Sequence, residues 1–151
     1  GLVSACDIAI GVRGAKFAFS EVRLGLTPAV IAPFVIRAIG EKNCRRYMLT
    51  ADMFDDETAV RMGLLEKSVA VDDLEAAVLK LTDSLFAVAP NAVSACKKLI
   101  RKVSEYPLDE VQEYTAKLIA QLRAGEEGQE GMTAFLEKRN PKWLTTPRGD
   151  D

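Results

Sequence analysis

The spacing of hydrophobic positions changes near residue 72. Before that point apolar residues come in short, closely set runs, as in FAFSEVRLGL (residues 17–26) and LLEKSVAV (residues 64–71). Near-alternation over a few residues predicts strands, because successive strand side chains point to opposite faces. Between Cys6 and Leu26 the pattern predicts two short strands parted by Arg13-Gly14-Ala15, and LLEKSVAV predicts another. The intervening stretch is helical in pieces. Pro28 and Pro33 exclude one uninterrupted helix. Residues 27–32 therefore read as a loop, with Pro33 at the first helical position and Gly40 as the stop. EKNCRRYMLT makes a second short helix, and DETAVRMG a third, capped by Asp55 or Asp56 and ended by Gly63. At the N-terminus, Gly1 to Ala5 read as the back half of a buried helix leading to a strand in DIAIGV. A chain that opens inside an element is expected to be a piece of something longer.

After residue 72 the period is helical. Leu74, Ala77, Val78, Leu81, Leu85 and Val88 line one face of residues 74–88. Residues 90–104 repeat this with Val93, Cys96, Leu99, Ile100 and Val103, and residues 108–122 with Leu108, Val111, Thr115, Leu118, Ile119 and Leu122. AGEEGQEG reads as a flexible joint and MTAFLEKR as a last short helix. Such regular amphipathic helices bury their faces on each other or on another subunit. The boundaries that follow are residues 1–71 for a mixed strand-and-helix part, 72–145 for a helical part, and 146–151 for a tail.

Composition narrows the chemistry. The chain has 151 residues, 48% hydrophobic and 28% charged, with a net charge of −2, enough for an ordinary globular core. Its basic residues are dispersed, so no stripe points to nucleic acid. No apolar run approaches the roughly 20 residues that span a bilayer, and no secretory signal pattern opens the chain. A cytoplasmic location is expected. Histidine is absent, which removes Ser-His and Cys-His nucleophile pairs and the commonest general base. Cys6, Cys44 and Cys96 form no CxxC pair, so no zinc site is predicted; they read as reduced and mostly buried thiols. Acid–base chemistry, if present, falls to carboxylates, Lys, Tyr or Cys. Glu21 lies in the middle of an apolar run. By periodicity alone it is a solvated strand residue paired with Arg23 on the same face. Phe135 and Lys138 read by default as an anchor and a surface charge.

The residues in order say more than their period. ACDIAIG, AKFAFSEVRLGLTP, AIG, YMLTADMFDDETAVRMGLLEKSV, AP..AVSACKKLI and EGMTAFLEKRNPKW together resemble the enoyl-CoA hydratase/isomerase (crotonase) superfamily from Ala5 to Trp143. The resemblance implies an α/β fold: the C-terminal part of a crotonase-like ββα spiral core followed by a helical trimerisation region. It implies an acyl-CoA substrate, coenzyme A being part of that substrate and no separate cofactor or metal being required. It also implies an enolate oxyanion held by two backbone N–H groups, and a homotrimer or hexamer. Glu21 matches a family catalytic glutamate that moves a proton at carbon. Pro28, Ala29 and Val30 match the loop beside the acyl pocket, and Phe135 and Lys138 match positions that touch the adenosine end of CoA.

Four departures qualify the resemblance. Gly1 stands where the family has its other glutamate. The oxyanion-hole peptides of the family pattern precede Gly1, so the segment alone is expected to be inactive. The loop after Pro28 reads AVIA where small residues are usual, which places bulk at Val30 and Ile31. Ala29 stands where some isomerases carry an aspartate. The expected function is that of a lyase or isomerase retaining one carboxylate, Glu21. The alternatives are a non-enzymatic oligomerisation or CoA-binding module, and a generic helical interaction domain without CoA binding.

Overall fold

The short apolar runs predicted as strands do pair: the first with LLEKSVAV, and the second with a two-residue strand that the sequence did not predict. A computed structural model of the chain describes residues 1–145; the predicted tail, 146–151, lies outside the described residues. β1 (Ile10–Val12) runs parallel to β4 (Lys67–Val69), with Gly11 opposite Ser68. β2 (Lys16–Phe17) runs antiparallel to β3 (Phe54–Asp55), with Phe17 opposite Phe54. The second predicted strand thus ends at Phe17, and FAFSEVRLGL is mostly not a strand. The reason is the partner: β3 offers only two residues of ladder, and a strand without a neighbour leaves its backbone groups unpaired. Phe19 still points inward, 7% exposed, so the alternation is real although the pairing stops.

Two compact units divide the chain, Gly1–Lys80 and a second starting at Leu81. The first is built around Phe19, Val35, Ile39, Cys44, Phe54, Ala59, Leu64 and Leu65. Phe54 is its centre. Its ring lies 4.6 Å from that of Tyr47, 5.5 Å from Phe17 and 5.9 Å from Phe19. α2 (Ala32–Thr50) supplies Val35, Ile39 and Cys44 to this core. It starts one residue before Pro33, on a bond from the Ala32 N–H to the Pro28 carbonyl. Gly40, at φ 76° and ψ 158°, breaks it into the two helical pieces that the sequence predicts. α3 (Asp56–Arg61) is capped by Asp55, whose carboxylate accepts from the Thr58 N–H at 2.9 Å. The buried carboxylate of Asp56 accepts from the Gly14 N–H and the Ser68 hydroxyl, at 2.9 and 2.6 Å. It thereby ties the turn after β1 to β4. The Ser68 hydrogen bond is the main reason its carboxyl is held below the usual range. α1 (Leu2–Ala5) is helical as predicted but contributes no buried residue, and Leu2 is 89% exposed. One helical turn cannot bury a face by itself.

The helices predicted over 74–88, 90–104 and 108–122 form to within two residues, whereas the last one, predicted over MTAFLEKR, starts six residues earlier and stops at Leu136. α4 (Leu74–Phe86) contains the division between the units, and α5 (Pro90–Glu105) and α6 (Leu108–Ala124) follow. No strand occurs after Val69 among the described residues. Much of the apolar stripe is uncovered: Leu85, Ile100, Leu108 and Ile119 are all exposed. AGEEGQEG is not a flexible joint. Only Gly125 lies outside the helices, and α7 (Glu126–Leu136) begins immediately after it. The glycines there serve close approach. A Cβ on Gly128 would sit 2.1 Å from the Leu122 carbonyl oxygen. The Glu127 carboxylate accepts from the Asn91 and Ala92 N–H groups, fastening α7 to the start of α5. α8 (Lys142–Thr145) closes the described chain. No single helix among the described residues is long and apolar enough to cross a membrane.

Candidate active-site carboxylate and its surroundings

Glu21 is the first residue of a 3-10 turn, Glu21–Leu24, not a strand residue. Phe19 anchors the approach in the core, and Ser20 bends the chain at φ −91° and ψ −2°. The Arg23 N–H donates to the Ser20 carbonyl, the Gly25 N–H to Val22, and the Leu26 N–H to Glu21. Gly25 closes the turn at φ 72°, a conformation that strains any residue with a Cβ. The turn carries the Glu21 side chain half inward. Its Oε2 is buried and has no hydrogen-bond partner. Buried carboxylate oxygens are ordinarily satisfied, which makes Glu21 a candidate site residue.

The expected partner of Glu21 is not its partner. The Arg23 guanidinium donates instead to the Ala51 carbonyl at 2.9 Å. A 3-10 turn has three residues per turn, so residues two apart point in different directions, unlike those on a strand.

The other predicted site residues divide. Pro28 is buried, and its carbonyl starts α2. Ala29 is exposed and Val30 is 86% exposed. The bulk that fills space is Ile31, whose Cγ2 would be 2.4 Å from a Cβ added to Gly1. With Ile31 in that position there is no room for a side chain at residue 1. Phe135 and Lys138 belong to the second unit, at the C-terminal end of α7, and Phe135 is 82% exposed. The Lys138 N–H donates to the Phe135 carbonyl and the Arg139 N–H to that of Ala134, the pair of bonds that makes a Schellman motif. Lys138 occupies its left-handed position at φ 54°, where glycine is usual. A groove of about 580 Å³ in the same unit is lined by Ala92, Leu122, Met132 and Trp143 among others, but by neither Phe135 nor Lys138. The Trp143 indole N–H is buried without a partner.

Of the three thiols only Cys44 is buried, and burial pushes it up from the usual range; Cys6 and Cys96 are exposed. The expectation of mostly buried cysteines fails because Cys6, just after α1, and Cys96, on α5, both lie outside the core. No group of three or more His, Cys, Asp or Glu capable of holding a metal occurs among the described residues.

The half-buried Glu21, with one carboxylate oxygen unclaimed, is the candidate site residue of the first unit. The sequence matches the enoyl-CoA hydratase/isomerase family over residues 1–146, and the chain belongs to that family. It is 36% identical to the enoyl-CoA hydratase ACTT6 of Alternaria alternata over 146 residues, covering 95% of this chain and 49% of that protein. It is 30% identical to a crotonyl-CoA hydratase of Syntrophomonas wolfei, covering 95% of this chain and 56% of that one. Its fold matches the crystal structure of an enoyl-CoA hydratase from Shewanella pealeana with a TM-score of 0.89 at 41% identity, over 94% of this chain and 53% of that one. It matches Pseudomonas aeruginosa AtuE with a TM-score of 0.90 at 40% identity, over 95% and 56%. The chain spans about half the length of the curated relatives it matches.

Proposed function

We propose that this chain is the C-terminal part of an enoyl-CoA hydratase or isomerase in which Glu21 is the proton-transfer group on an acyl-CoA thioester. The observation that carries this is the buried Oε2 of Glu21, which no donor occupies. A carboxylate whose oxygen is unclaimed can accept the α- or γ-proton of the thioester. The C–H bond breaks, its electron pair passes to the thioester as an enolate, and the resulting carboxylic acid returns the proton to carbon. The negative oxygen needs two hydrogen-bond donors; this reading assigns that role to backbone N–H groups and to no described residue. Gly1 and Ile31 together leave the position of a second carboxylate filled by hydrocarbon, which favours chemistry with one carboxylate. Pro28 shapes the loop wall beside the acyl group, and Ala29 and Val30 face away from the unit's core toward it. Phe135 and Lys138 contact the adenosine end of coenzyme A. The uncovered apolar faces of α4, α5 and α6 support assembly as a homotrimer or a dimer of trimers.

The test is Glu21→Gln in the full natural chain, which keeps size and shape but cannot titrate. Turnover should fall by about two to four orders of magnitude, with acyl-CoA binding little changed. Exchange of α-protons in deuterated water should fall with it. Unchanged turnover and exchange would sink this reading and favour a CoA-binding or assembly module.

A further inference from the structure

We infer that Arg23 is a positioning residue: it pins the turn that carries Glu21 to the end of α2 and leaves the glutamate's charge unneutralised. This rests on the reading of Glu21 as the proton-transfer group.

A four-residue 3-10 turn holds itself poorly, since its hydrogen bonds are bent and few. Something outside must fix its place. A side-chain bond from this turn runs from Arg23 to the Ala51 carbonyl, 28 residues away, at 2.9 Å. Ala51 is the C-terminal cap of α2, 1% exposed, and sits in the left-handed region at φ 53°. A helix C-terminus presents unpaired carbonyls and partial negative charge, so a guanidinium is well matched there. The same corner holds Asp52, which pairs with Arg46 at 2.5 Å and also feels the Arg23 charge as a smaller influence. The cation of Arg23 is therefore compensated by the end of α2 and by Asp52.

That arrangement separates two tasks that one ion pair would confuse. An Arg–Glu bridge within the turn would hold Glu21 still but would occupy the oxygens that accept the proton. With the guanidinium turned to Ala51, the backbone of the turn is held and Oε2 stays unclaimed. A misplacement of the base by about 1 Å is enough to lower turnover about a hundredfold.

The test compares Arg23→Met, Arg23→Lys and Glu21→Gln in the full natural chain. Methionine keeps much of the stem and removes the donors; lysine keeps one donor that reaches a carbonyl. The expected result is a kcat about tenfold to a hundredfold lower for Arg23→Met and an intermediate value for Arg23→Lys. The KM for acyl-CoA should stay within about twofold of the parent, because the thioester's nucleotide is held elsewhere. The pH at which kcat rises should stay where it is in the parent. Parental kcat per folded enzyme in Arg23→Met would overturn the inference, as would a shifted pH profile, which would mean that Arg23 acts on the Glu21 charge directly. If Arg23→Met does not fold, Arg23→Lys decides: reduced kcat at parental KM supports the tether, and parental kcat overturns it. Loss of activity in Glu21→Gln alongside parental Arg23 variants would remove this inference alone, whereas an active Glu21→Gln would remove the reading beneath it.

Discussion

Replacing Gly128 by alanine should destabilise the protein, although the same change in an ordinary helix does the opposite. Gly128 is the third residue of α7, and Gly→Ala inside a helix is normally favourable by about 1 kcal/mol. Here the added Cβ would lie 2.1 Å from the Leu122 carbonyl oxygen, 3.0 Å from its carbon and 3.2 Å from the Arg123 Cα. All three are backbone atoms, so no rotamer change relieves them. Restoring ordinary contact needs a separation of about 1 Å between the end of α6 and the start of α7. That movement strains the Gly125 N–H bonds to Gln121 and Leu122, the Gln129 amide bond to the Arg123 carbonyl, and the grip of Glu127 on α5. Overpacking of this kind costs about 1–3 kcal/mol, and each hydrogen bond lost about 1 kcal/mol more. Against the propensity gain the net is a loss of about 2–3 kcal/mol, which lowers the melting temperature by roughly 4–12 °C. Thermal melts followed by circular dichroism on the full natural chain provide the assay. Thr133→Ala, on an exposed position of the same helix, is the control and should be neutral or slightly stabilising. An unchanged or raised melting temperature for Gly128→Ala would refute the close approach at this corner.

Lys138→Gly should raise the melting temperature by a few degrees, because glycine fits the left-handed position that Lys138 occupies at φ 54° at about 1 kcal/mol less strain. If Lys138 contacts the nucleotide as proposed, the same variant should raise the KM for acyl-CoA by about two- to fivefold, and steady-state kinetics separates the two effects. Acid should loosen the C-terminal corner through Glu130. Hydrogen bonds from Arg139 first, and the Lys142 N–H after it, lower this carboxyl from the usual 4.5 to about 2. Its contribution to stability is complete above about pH 4.5 and is lost as pH falls through 2. Glu130→Gln should lower stability at neutral pH and flatten the fall between those values in pH-resolved melts; an unchanged acid slope would count against the ion pair.

Periodicity determined the helices of the second half, because an amphipathic stripe is a local property and each helix satisfies its own backbone. Gly40, Gly63 and Asp55 were legible as stop, stop and cap for the same reason. The ordered blocks from Ala5 to Trp143 pointed to the family, and it is on that resemblance that the role proposed for Glu21 rests. What could not be read locally were the elements that depend on a distant partner. Whether FAFSEVRLGL continues as a strand was decided by β3, which supplies two residues of ladder some thirty-five positions later. Whether Arg23 pairs with Glu21 was decided by the Ala51 carbonyl at the end of α2, which a two-residue spacing does not reveal. The glycines of AGEEGQEG looked like a flexible joint because composition cannot distinguish freedom from close approach; only the Leu122 carbonyl beside Gly128 does so. Likewise the bulk of AVIA was visible, but that Ile31 and not Val30 fills the space at Gly1 follows from which side chain the helix start turns inward. A sequence states what each residue can satisfy at short range. The tertiary structure decides which far-off group is left to satisfy it, and here that decision leaves one carboxylate oxygen of Glu21 buried and unclaimed.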